Sequence, residues 1–264
     1  MPDLPDWPRT LVIVAHPDDE SFGLGAVLST LAARGSRVSV LCFTRGEAST
    51  LHGVAGDLSV IRRDELRRAA DELGLDGVRL LTYPDGSLAE QPVDALITDA
   101  RDHAAETAPA GLVTFDPSGI TGHPDHTAAT RIAVALGREL GLGVLGWTLP
   151  RAVADHLRAE LGIGFLGHDA GEIDLVVDVD RQAQRRAIAC HASQAVPGKP
   201  AVAPAGATGR SGTPALAAPA RVHAAGRLTG PAAGSLRARP GVPIAPGRRN
   251  TAVTGTTMAV TGGA

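Results

Sequence analysis

Two short segments of this chain set histidine beside carboxylates: Ala15-His16-Pro17-Asp18-Asp19-Glu20 and Gly122-His123-Pro124-Asp125-His126. Imidazole and carboxylate together suit a divalent metal. Zinc fits best, because a catalytic zinc takes three such protein ligands and leaves a position for water. Pro17 drives His16 toward extended backbone, so its ring can project from the end of a strand. Pro124 suits the first position of a helix. That places His123 at the helix cap and His126 one turn on, pointing to the same side. A helix N-terminus also favours an anion, such as a developing oxyanion. One His-Pro-Asp segment alone reads equally well as a solvated cap. Two of them at strand-to-helix turns point to one shared site.

The elements that must carry these segments follow from hydrophobic pattern. Leu11 to Ala15 is a short apolar run rich in β-branched residues, which reads as a buried strand of a parallel sheet. Ser21 to Ala33 has helical spacing, with Leu24, Val27, Leu28 and Leu31 on one face. Strands are expected at 37–43, 78–82, 111–115 and 144–148, with helices at 59–73, 93–106 and 124–140 between them. A later, peripheral strand is expected at 173–179 and a helix at 181–191. Alternation at about 30-residue spacing predicts an α/β fold: a Rossmann-like, doubly wound, mainly parallel sheet with helices on both faces. Ligands bind such sheets at the carboxyl ends of the strands. Both His-Pro-Asp segments fall there.

Composition divides the chain. Its 264 residues carry a formal charge of −3, but none of the 28 Asp and Glu and none of the seven aromatics lies beyond residue 196. Residues 1–196 therefore carry −11 and residues 197–264 carry +8. The second stretch holds 12 Gly and 9 Pro, has little to bury, and is expected to be a disordered basic tail. Its cations are sparse and lack interleaved aromatics, so nucleic acid is not an expected partner. Two cysteines, Cys42 and Cys190, make no disulfide framework, and a reduced cytoplasmic setting is the simplest expectation. No apolar run approaches the length of a membrane span.

The A-H-P-D-D-E and G-H-P-D-H pair resembles the PIG-L (LmbE-like) family of metal-dependent de-N-acetylases, over about residues 9–196. The resemblance implies that His16, Asp19 and His126 bind one zinc ion per chain. It implies that Asp18 is the general base for water. His123 would stabilise the tetrahedral intermediate or protonate the leaving amine, and Asp125 would tune its charge. Thr44-Arg45-Gly46-Glu47 is similar to a family T-x-G-E loop, and His191-Ala192-Ser193-Gln194 to a common family segment. Arg62 matches an Arg that contacts substrate, and Asp85 an Asp that binds sugar hydroxyls. Their plain readings are a solvated helix charge and a turn residue. The chain departs at Thr121, where mycothiol-pathway members carry a Tyr. The implied reaction removes acetyl from a small N-acetylated amino sugar or glycoconjugate. The alternatives are an amidase for a larger acyl group, or a metal- and sugar-binding protein without turnover. Specificity is expected in loops at 51–57 and 149–168. His52, His103, His156, His168 and His223 have no motif and are expected at the surface.

The resemblance also bears on 197–264. Codons can be chosen for residues 199–213, KPAVAPAGATGRSGT, so that the +1 frame reads SPLWRRLELLGDRE. That segment resembles what the family has at this place. The tail then reads as a frame-shifted C-terminus following a deacetylase domain of residues 1–196.

Overall fold

The computed structural model describes residues 3–50, 56–194, 220–225 and 255–261. Its centre is the parallel strands β1 (Arg9–Val14), β2 (Arg37–Thr44), β3 (Gly77–Tyr83), β4 (Gly111–Phe115) and β5 (Gly143–Thr148). They lie in the order β3-β2-β1-β4-β5. From β1 the chain winds outward through β2 and β3, then returns to the other side of β1 for β4 and β5. The winding reverses between β1 and β4, and that is where such a sheet opens a crevice.

Side chains alternate across β1, so each face has its own core. Val12 and Val14 pack with Leu24, with Val27, Leu28 and Leu31 of α2 (Gly25–Ala33) and with Leu66 of α3 (Leu58–Leu73). Leu11, Ile13 and Ala15 pack on the opposite face with α4 (Val93–Thr107) and α6 (Pro124–Leu140). The single helix expected over 21–33 is two, α1 (Asp19–Phe22) and α2. The break is at Gly23, where a Cβ would stand 2.6 Å from the Phe115 ring. A side chain there would meet that ring, so glycine suits the position between the two helices. α5 (Gly119–Gly122) is a single turn ahead of α6.

The loop expected over 149–168 contains α7 (Arg151–Leu161), whose Ala154 and Leu157 are buried. β6 (Leu175–Val179) and α8 (Gln182–Cys190) follow. α8 packs on α3 through Ala187 against Ala69 and Leu73. Within 197–264, expected to be a disordered tail, the described residues form β7 (Ala220–Ala225) and β8 (Gly255–Thr261). β8 runs parallel to β5 and β6, and β7 pairs antiparallel with β6 and β8. The β-branched residues that suit strands, Val222, Thr256, Thr257 and Val260, are diluted in the average composition of this stretch. The rest of 197–264 lies outside the described residues, as do 51–55 of the loop expected to set specificity. No helix among the described residues is long and apolar enough to cross a membrane. Both cysteines are free thiols.

Candidate metal and active site

The two His-Pro-Asp segments meet at the crevice between the carboxyl ends of β1 and β4. The rings of His16, His123 and His126 stand 5.0 Å from one another, centroid to centroid. His16 follows β1 directly. Asp19 opens α1, and its Oδ2 accepts the backbone N–H groups of Ala15 (3.1 Å) and His16 (3.0 Å). The Asp19 carboxylate is thereby turned back over the strand end, with Oδ1 3.1 Å from His126 Nε2.

The second partner of each imidazole decides which nitrogen faces the centre. His16 Nε2 meets Asp85 Oδ1 at 3.1 Å and Asp125 Oδ2 at 3.3 Å, so it carries a proton and Nδ1 is the nitrogen turned to the centre. His126 Nδ1 lies 3.0 Å from the Gly119 carbonyl, so Nε2 keeps its lone pair. These two inward nitrogens face each other at 3.1 Å. A shared proton or a metal ion must lie between ring nitrogens at that distance. The separations match donors on one tetrahedral ion, about 3.3 Å apart for bonds of about 2.0–2.1 Å. Imidazoles whose outer N–H is held by a carboxylate or carbonyl are the usual support of a metal centre. His16, Asp19 and His126 offer donors that suit a divalent metal ion. Two further groups among the described residues could also hold one: His16, His123 and His126, and His16, Asp85 and Asp125. The Asp19 Oδ1 is directed at His126 Nε2 and takes no backbone N–H.

The Gly119 carbonyl is aimed by unusual backbone. Gly119, Ile120 and Gly122 all have positive φ (67°, 65° and 72°). For the β-branched Ile120 this costs about 1–3 kcal/mol. The Ile120 carbonyl accepts from Leu166 N–H at 2.6 Å, which ties the turn to the segment after α7. Asp18 is likewise in a region L-residues rarely adopt, at φ 131°.

Charge follows the geometry. Burial lowers the His16 pKa, but the hydrogen bonds to Asp125 and Asp85 and the charge of Asp19 outweigh it and lift it to about 10. Asp19 is opposed by burial and still held well below the usual carboxylate range by His126 and His16. Burial raises Asp18, against the pull of Arg62. His123 is lowered by burial and by the charges of His16 and His126. The charge of Asp125 raises it but is outweighed. The Asp125 carboxylate instead accepts from Gly86 N–H (2.8 Å) and Leu88 N–H (2.9 Å) and faces His16. Its one hydrogen bond with the His123 side chain runs through its backbone: Asp125 N–H donates to His123 Nδ1 at 3.2 Å. His123 therefore carries its proton on Nε2.

Arg62 is buried, 3% exposed, and donates to the carbonyls of Pro17 and Gly46 while pairing with Asp18. Gly46 has φ 65° and stands so close to the Arg62 guanidinium that no Cβ fits. Asp85 is held between His16 and the Ala48 N–H (2.8 Å), and its own N–H donates to Glu47. Both residues face protein partners. Other residues escaped the sequence reading. His103 is buried, with Nε2 3.0 Å from Ser39 Oγ. It shares the apolar stripe of Leu96 and Ala100, and that spacing is the signal that marks it as internal. His168 pairs with the fully buried Asp116 at 3.5 Å, whereas His156 is exposed beside Glu160. His52 lies outside the described residues, and His223 lies on β7.

The PIG-L profile, described as GlcNAc-PI de-N-acetylase, matches residues 11–136. A 1D-myo-inositol 2-acetamido-2-deoxy-alpha-D-glucopyranoside deacetylase of Streptomyces avermitilis is 34% identical over 218 residues, covering 68% of this chain and 74% of that protein. The chain belongs to the PIG-L family of deacetylases. A deacetylase of the same description from Corynebacterium glutamicum (strain R) is 31% identical, over 65% of this chain and 67% of its own length. Among solved structures, the N,N'-diacetylchitobiose deacetylase from Pyrococcus horikoshii shares the fold. It has a TM-score of 0.54 and 24% identity, covering 72% of this chain and 71% of its own. The PIG-L match contains both His-Pro-Asp segments, Arg62 and Asp85.

Proposed function

We propose that this deacetylase is zinc-dependent and removes an acetyl group from an N-acetylated amino sugar or glycoconjugate, releasing the amine and acetate. The catalytic unit is residues 1–196. One observation carries the reading: His16 Nδ1, His126 Nε2 and Asp19 Oδ1 converge at the crevice, beside Asp18. Zinc held by His16, Asp19 and His126 would act as a Lewis acid and bring the pKa of water to about 7. The Asp18 carboxylate accepts the proton of the attacking water. His123 Nε2–H donates to the oxyanion of the tetrahedral intermediate. A neutral imidazole gives up that proton only at high cost, so the proton taken by Asp18 goes on to the leaving amine. Asp125 and Asp85 hold the His16 ring, and Asp125 acts on His123 through the helix cap.

Stripping metal with a chelator should abolish activity, and zinc should restore it, as measured by amine release. Asp18→Asn keeps the metal and loses turnover by about 10²–10⁴-fold. Full activity in Asp18→Asn removes the base from this mechanism.

A larger acyl group is the second reading, and one observation favours it. Ile163 and Leu166 are 47% and 42% exposed in the short segment tied to the Ile120 turn, and Leu166 reaches the edge of Gly122. An apolar rim there would accept a longer chain. Amine release from acetyl and from longer acyl derivatives of one amino sugar, compared by kcat/KM, separates the two.

A further inference from the structure

The peptide unit between Pro17 and Asp18 is held at both polar ends by buried charged side chains. Its carbonyl accepts from Arg62 Nη2, and its N–H donates to Glu20 Oε2 at 2.9 Å. Arg62 is anchored in turn on the Gly46 carbonyl at 2.7 Å and pairs with Asp18 Oδ1 at 3.1 Å. Glu20 is wholly buried, and its Oε1 accepts from Ser21 Oγ at 2.5 Å and meets His191 Nε2 at 2.8 Å. His191 is wholly buried too, and the next turn is tied down where Ser193 N–H and Oγ donate to the Glu65 carboxylate at 2.8 and 2.6 Å. Three segments far apart in the chain thus meet behind one peptide bond.

Stability alone does not call for this arrangement. Well-packed apolar residues of similar volume commonly serve a core as well as, or better than, a buried ion pair. Strained backbone persists only where its surroundings over-determine it, and Asp18 at φ 131° is the strained residue here. The ionic groups sit where that strain must be held.

We infer that Arg62, Glu20 and His191 are positioning residues for Asp18: they clamp the Pro17–Asp18 peptide plane and so set the line along which the Asp18 carboxylate meets water. This rests on the role proposed above for Asp18. It gives the His191-Ala192-Ser193-Gln194 segment a task, and it makes Arg62 act through Asp18 instead of on substrate.

The test uses Glu20→Gln, His191→Gln and Arg62→Lys in the full chain. It measures kcat, KM, bound metal, and hydrogen exchange at the backbone amides of Asp18 and Val113. In each variant kcat falls by about 10–100-fold while KM stays within about twofold and metal content is unchanged. The Asp18 amide exchanges at least about tenfold faster, and the Val113 amide, inside β4, keeps its protection. His191→Gln retains more kcat than His191→Ala. Should Glu20→Gln lose protection at Val113 as well, His191→Gln decides, because it leaves Glu20 its Ser21 and Asp18 partners. A raised KM with unchanged kcat in Arg62→Lys overturns the inference, and so does unchanged Asp18 exchange in all three variants. A wild type without hydrolysis on an N-acyl panel defeats the proposed function. The exchange pattern then still decides the clamp.

Discussion

At single residues, the chemistry of this site depends on which nitrogen of each histidine carries the proton. His16 and His126 are each held by an outer acceptor, so the other nitrogen of each ring points inward. His123 is committed the other way, because a backbone N–H occupies Nδ1 and Nε2–H is left to donate. A donor of this kind contributes by stabilising an oxyanion, and its loss typically costs about 10²–10³ in rate. His123→Ala should therefore lower kcat by that factor with little change in bound zinc. Steady-state kinetics with metal analysis checks it, and a loss of metal matching the loss of activity would make His123 a ligand. The residue types and spacing of both segments were legible in the sequence. The protonated nitrogens were not, because they are set by folded geometry: Asp85 and Asp125 for His16, the Gly119 carbonyl for His126 and the Asp125 N–H for His123.

At the level of elements, helix ends show how local chemistry and packing divide the work. α3, α6 and α7 end on Gly74, Gly141 and Gly162, each in the left-handed conformation that glycine adopts freely. α4 ends the same way on the exposed Ala108, at φ 44°. Ala108→Gly should raise stability by about 0.5–1 kcal/mol, read as a shift in urea midpoint. The segment after α7 is anchored by charge. Hydrogen bonding to Asp116 raises the His168 pKa, and Asp116 is lowered against burial by His168, Ser118 and Thr148. The raised His168 stabilises fully below its ordinary 6.5 and loses that contribution as pH rises through its folded value. The lowered Asp116 stabilises fully above its ordinary 3.8 and loses it as pH falls through its folded value. The pair thus works fully between 3.8 and 6.5. His168→Ala should cost about 1–3 kcal/mol there, with a deficit that shrinks at alkaline pH, followed by thermal melts across pH. Helices with clear apolar stripes and glycine stops were legible in advance. α7 was not, nor was the break at Gly23, where the Phe115 ring from β4 leaves little room for a side chain.

For the whole molecule, the net charge of −3 hides an acidic body and a basic end. The body builds its site where the winding of the sheet reverses. If 197–264 is a shifted reading, the coding DNA in the +1 frame from codon 199 stays open and encodes SPLWRRLELLGDRE. Early stops in that frame end the idea. The sequence by itself determined the donor types, the strand-helix alternation, and the placing of both motifs at strand ends, because period and turn chemistry are local. Strand order was decided by tertiary structure, and with it the meeting of His16 with His126 across 110 residues and of Glu20 with His191 across 171. Local pattern says which face of an element is buried. It does not say which distant side chain arrives there, because that depends on packing the elements against one another.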